Sequence, residues 1–177
     1  MRQRWGITYQ SGGLFSAMTL AENITLPLEL YTQFTAAEIA DIVAYKLALV
    51  GLAGYQSYYP SEISGGMRKR AALARAIALE PDILFFDEPS AGLDPISSRL
   101  LDELIVQIKE SMGATVVMVT HELPSIFAIA NNSVYLDNIS RTMIACGDPA
   151  YLREHSPEPV VRQFLTRSAA AEQADMP

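Results

Sequence analysis
Two runs constrain what this chain can fold into more than anything else in it: ILFF at 83–86 and TVVMVT at 115–120. A strand with one wet face alternates apolar and polar residues, and these runs do not alternate. Between them, residues 97–112 carry helical spacing. Continuously apolar strands joined by helices are expected to form a parallel sheet covered on both faces, so the expected class is α/β.

The remainder of the chain fits around that core. Residues 6–10 read as a short strand. The apolar loop SGGLFSAMTLAENITLPL follows, and within it Thr19 and Glu22 have the spacing of a capping box ahead of a short helix. Ile39, Ile42, Val43, Leu47 and Val50 recur at helical spacing from Thr35 and stop at Gly51, and another helix starts at Ser64. SVYLD and RTMIACG suggest paired strands, PEPVVRQFLTRS an amphipathic helix, and AAAEQADMP a frayed tail. Trp5 and Tyr9 are expected to pack. Leu14, Phe15, Met18 and Leu20 make their loop more apolar than a free turn requires, which suits either a satellite core or a partner's surface.

The net charge of -7 argues against a general nucleic-acid binder, which works by neutralising phosphates. The single cysteine, Cys146, excludes an intrachain disulfide framework and fits a reducing cytoplasm, with its thiol expected to be inert packing. No segment reaches the roughly 18 consecutive apolar residues that span a bilayer.

Chemistry is expected at the carboxyl ends of the strands, where open parallel sheets place their ligands. Asp87 and Glu88 follow ILFF there: an aspartate can hold Mg2+, and the next glutamate can polarise a water. A solvated acidic turn is the alternative. Ser64-Gly65-Gly66 opens a helix, with Ser64 as cap and bare backbone N–H groups at the positive end of the dipole, a place that favours phosphate. The same residues also serve ordinary turns. Arg68, Lys69 and Arg70 follow, either as part of that site or as a solvated face. His121, directly after TVVMVT, could donate to a phosphate, and Gln10 ends the first strand. Each has a bland surface reading when taken singly.

Taken in order, these elements resemble the ATPase subunit of ATP-binding-cassette (ABC) transporters. Gln10 matches the Q-loop glutamine. ISGGM at 63–67 matches the Leu-Ser-Gly-Gly-Gln signature, with Ile63 and Met67 as departures. ILFFDE matches the Walker B strand, SAGLD the D-loop, and His121 the switch histidine. The resemblance runs from Gly6 to about Gly147. It is closer still to the ATPases of Mla-type, mammalian-cell-entry-associated lipid transporters, in which a methionine after Ser-Gly-Gly and a following Arg-Lys-Arg are usual.

This resemblance implies a P-loop NTPase-like parallel sheet with a helical subdomain at about 20–80. Residues 1–155 would form the C-terminal part of a nucleotide-binding domain, and 156–177 a C-terminal helix and tail. It implies ATP and Mg2+ as cofactors, with Glu88 and His121 catalytic. Gln10, Ser64, Gly65, Gly66, Asp87 and Asp94 would bind the nucleotide, Gln10 and Asp87 also serving the metal. The implied partners are a second ATPase subunit, a transmembrane permease and a lipid-carrier substrate-binding protein, and no nucleic acid. The implied location is the inner face of the bacterial cytoplasmic membrane.

One part of the family's site is not in these residues. The lysines are Lys46, Lys69 and Lys109, and none follows a glycine, so the chain holds no Gly-x-x-x-x-Gly-Lys-Ser/Thr loop. The expectation is an N-terminally incomplete cassette, with sticky strand edges and little ATP binding or hydrolysis alone. Beside the ATPase reading stands a catalytically deficient cassette docking on a permease or an intact subunit. A soluble ABC protein of the translation or DNA-maintenance type fits less well, since neither a tandem cassette nor a long coiled-coil insertion is present.

Overall fold
The computed structural model describes residues 4–167, so the expected tail at 169–177 lies outside the described residues. The chain divides into two compact units, one ending at His121 and the other beginning at Glu122.

The first unit runs β1 (Trp5–Thr8), α1 (Leu20–Tyr31), α2 (Ala36–Leu49), a 3-10 turn (Pro60–Glu62), α3 (Gly65–Ala76), β2 (Ile83–Asp87), α4 (Pro95–Met112) and β3 (Thr115–Val119). Its sheet has the order β1-β2-β3 and is parallel throughout, with Trp5 level with Ile83 and Ile83 with Thr115. Helices α1 and α2 begin where the sequence places them, because Thr19 and Thr35 each accept from the backbone N–H three residues on, while Glu22 and Glu38 return the bond.

Leu20, Ile24 and Leu28 of α1, and Ile39, Val43 and Leu47 of α2, are buried at four-residue intervals. Each full burial of this kind contributes about 1.5–3 kcal/mol. The face of α3 toward the core is small: Ala71, Ala72 and Ala74 with Leu73. That lets its backbone lie on β1, where a Cβ added to Gly6 would stand 2.4 Å from the Ala76 carbonyl oxygen and 2.7 Å from Leu84 Cδ2.

The sheet is not buried on both faces as its apolar strands led us to expect. Gly6, Thr8, Leu84 and Phe86 are buried on the face that meets α3, but Trp5, Ile7, Val117 and Val119 of the other face are 62%, 43%, 43% and 64% exposed. The helices of this unit pack on α3 or beside it, so the second apolar face receives no helix of the unit. Trp5 touches Phe85 edge-on at 6.0 Å yet stays exposed, and Tyr9 is exposed too, so neither is a packing residue.

The second unit runs α5 (Leu123–Ile129), β4 (Ser133–Asp137), β5 (Thr142–Gly147), α6 (Pro149–His155) and α7 (Pro159–Thr166). The two strands form the expected antiparallel pair, with a register shift between Tyr135 and Leu136. Leu123, Leu152, Val161 and Leu165 make its core. Cys146 is exposed, not packed inside. No described helix is long and apolar enough to cross a membrane.

Candidate functional site
Glu88 follows the last residue of β2 and holds a left-handed backbone, φ 45, which a glutamate adopts at a cost of about 1 kcal/mol or more. Several bonds hold it there. Its N–H donates to the Val119 carbonyl at 2.9 Å, which ties the end of β2 to the end of β3. Its carboxylate receives the Thr120 hydroxyl on Oε2 at 3.1 Å and lies 2.7 Å from His121 Nδ1 on Oε1. The glutamate side chain is 17% exposed and the histidine 68%, so the pair has a covered inner member and an open outer one. Asp87 beside it is exposed, with its backbone still in the strand.

Gln10 lies just past β1, two residues along the same sheet edge, and is exposed. Its carbonyl accepts from Lys69 Nζ at 2.5 Å, and the same ammonium donates to the Glu88 carbonyl at 3.2 Å. Gln10 and Glu88 are therefore brought to one point. Burial pulls the Lys69 ammonium below the usual lysine value, and the Glu88 and Asp87 carboxylates oppose that pull.

Ser64 caps α3, accepting from the Met67 N–H at 3.3 Å. Neither Gly65 nor Gly66 has a positive φ, and a Cβ at either would meet only ordinary contacts, with Leu93 at 3.9 Å from both and Ser97 Cβ at 3.7 Å from Gly66. Nothing inside the described chain requires glycine at these positions. Their missing side chains leave the backbone N–H groups of a helix start open to approach from outside. The neighbouring Gly-Leu-Asp turn ends on Asp94, whose carboxylate accepts from the N–H groups of Ile96 and Ser97 and from the Ser97 hydroxyl. The Ser97 hydroxyl does most to hold the Asp94 carboxyl below the ordinary aspartate value. Asp94 thus serves as the cap of α4.

The structure gathers the sequence-chosen residues into two groups: Gln10, Asp87, Glu88 and His121 at the sheet edge, and Ser64, Gly65 and Gly66 beside the turn that ends on Asp94. The cations of the basic run are tied to backbone carbonyls, although Arg68 stays exposed. Arg68 donates to the Pro60 and Ile63 carbonyls, and Arg70 to those of Val50 and Gly51. Thr120 is the residue that sequence reasoning missed, while Lys69 stood in the basic run with its two readings open and is found at the sheet edge. The only signal for Thr120 was its place between a strand and His121. Among the described residues, no three His, Cys, Asp or Glu side chains converge to hold a metal.

Residues 1–91 match the ABC transporter family. Over 165 residues the chain is 43% identical to the intermembrane phospholipid transport system ATP-binding protein MlaF of Escherichia coli K12, covering 93% of this chain and 60% of that protein. It is also 43% identical to the probable ribonucleotide transport ATP-binding protein mkl of Mycobacterium tuberculosis H37Rv, covering 93% of this chain and 45% of that one. Among solved structures, the ATP-binding cassette MJ0796, in a dimeric post-hydrolysis state bound to ADP and Pi, superposes with a TM-score of 0.69 at 29% identity, covering 77% of this chain and 60% of that one. The chain thus spans from under half to three fifths of the length of these relatives. Since the matched family segment includes Gln10, the Ser-Gly-Gly helix start and the Asp87-Glu88 pair, and the fold agrees, the chain belongs to the ABC transporter family.

Proposed function
We propose that this chain works as the ATP-hydrolysing part of an ABC transporter that moves phospholipid or a similar hydrophobic compound. The observation that carries the reading is Glu88, covered and left-handed at the sheet edge, with its carboxylate between Thr120 and His121. Hydrolysis of the γ-phosphate needs a base for the attacking water and hydrogen-bond donors for the charge that develops. Glu88 accepts the water's proton once Oε1 parts from His121, while Thr120 keeps the other oxygen in place. His121, exposed at the rim, donates to the phosphate.

A magnesium ion, when bound, neutralises charge on the phosphate oxygens. Asp87 and Gln10, both exposed at the edge, offer the oxygen ligands it prefers. The open helix start at Ser64–Gly66 suits the phosphates of a nucleotide held by a second subunit, in keeping with the dimeric state of the solved relative. The transported compound follows the name of MlaF; mkl is equally similar and named for ribonucleotides. A permease, a second ATPase subunit, a lipid-carrier protein and a place on the inner face of the cytoplasmic membrane belong to the same proposal.

The second reading is a docking module without turnover. Turnover of Mg-ATP by the whole protein, assembled with its permease in phospholipid vesicles, separates the two. Turnover stimulated by the permease supports the first; tight docking without turnover supports the second.

A further inference from the structure
Three consecutive cations on the first turns of α3 each collect backbone carbonyls from another segment. Arg68 and Arg70 reach back toward the segment before α3 and the end of α2, whereas Lys69 reaches the sheet edge and takes the Gln10 and Glu88 carbonyls together. An ammonium with three diverging donors suits two acceptors that arrive on different strands. Both acceptors are main-chain atoms, so the link fixes where the two loops sit without using up the side chains that do chemistry. Lys69 lies within one turn of Gly65 and Gly66, and α3 is continuous between them.

We propose that Lys69 is a positioning residue that makes the Gln10 loop and the Glu88 loop move as one body with the Ser64–Gly66 helix start. A nucleotide seated on that helix start would then be felt at the loops that act on a different nucleotide. The significance of the link rests on the function proposed above, but the link itself can be tested without ATP, so failure of one is distinguishable from failure of the other.

Two amides report on the loops: Gly12 N–H, bonded to the Tyr9 carbonyl, and Ala91 N–H, bonded to the Glu88 carbonyl. In the full chain, Lys69→Met removes the charge at nearly constant length, and Lys69→Arg keeps it. The expected result is a rise of about tenfold or more in hydrogen exchange at both amides in Lys69→Met, the worth of a bond from a charged donor. The Ile77 amide, at the C-cap of the same helix, should stay unchanged, and Lys69→Arg should restore both reporters. A rise at one reporter only, at neither, or equally at Ile77 overturns the proposal, since the last is what a merely structural lysine would give. If Lys69→Met does not fold, the wild-type chain still decides by NMR: a slowly exchanging Lys69 ammonium supports the link, and one exchanging at the rate of a solvated lysine overturns it.

Discussion

Asn23 shows how much of this molecule turns on single side chains that no motif marks. It is fully buried in α1, its Oδ1 accepts from the Phe15 N–H, and its amide donates to the carbonyls of Phe15, Met18 and Thr19. One residue thus organises the loop that follows Gln10, with Arg75 holding Gly13 from the other side at 2.7 Å. Asn23→Ala should cost about 2–3 kcal/mol, because it strands buried backbone groups, and chemical denaturation measures it. Gly65 gives the opposite test. The space around it admits a methyl group, so Gly65→Ala should fold with stability within about 1 kcal/mol of wild type. Gly65→Asp should fold as well, yet abolish cooperative ATP turnover in the assembled protein by repelling phosphate at the helix start; a loss of folding with either variant would show that the glycine serves packing. The place of Glu88 and His121 at the sheet edge could be read from the sequence because each comes just after an apolar run. Asn23 could not, and the two readings of Lys69 could not be separated, because a polar residue on a helix looks the same whether it meets water or a distant carbonyl.

The elements follow local chemistry closely where that chemistry is strong. The boxes at Thr19–Glu22 and Thr35–Glu38 hold both glutamates below their ordinary value of 4.5, chiefly through the threonine backbone N–H groups. A depressed carboxyl pKa means the folded state prefers the charged form. The stabilisation is therefore complete above the unfolded pKa and fades as pH falls through the folded one. Replacing Glu22 and Glu38 by Ala should lower Tm at neutral pH, with the gap from wild type closing as pH drops below 4.5; a gap unchanged at pH 3 would remove the boxes as its cause. Helices α5 and α6 escaped notice because each is 7 residues long and opens on a proline turn, too short for a periodic pattern. The strands were placed well, but their surroundings were not: an apolar run states that both faces avoid water, not that this chain supplies both covers. The loop after Gln10 divides likewise, with Leu20 buried and Phe15 52% exposed. Phe15→Asp should leave folding intact and weaken association with the permease, as a pull-down would show; unfolding would return Phe15 to a core role.

At the scale of the whole molecule, the open sheet face is directly observable. Trp5 is the chain's single tryptophan and lies on that face, 62% exposed. Its fluorescence in the 177-residue chain should be red-shifted and readily quenched by acrylamide, and a blue-shifted, protected emission would mean that the face is covered. The chain places Glu88 and His121 at the sheet edge and an open helix start elsewhere, and on the proposed function each subunit would serve two nucleotides. The phosphate loop that the family uses to hold its own nucleotide is not among these residues, so the 177-residue chain alone should show no micromolar binding of Mg-ATP by calorimetry. The sharpest test of the account is the ATP turnover of the whole protein with its permease, wild type beside Glu88→Gln. An amide cannot take the water's proton, so turnover should fall by about 100-fold or more while ATP remains bound. Turnover by Glu88→Gln at the wild-type rate would contradict the central claim that Glu88 is the base.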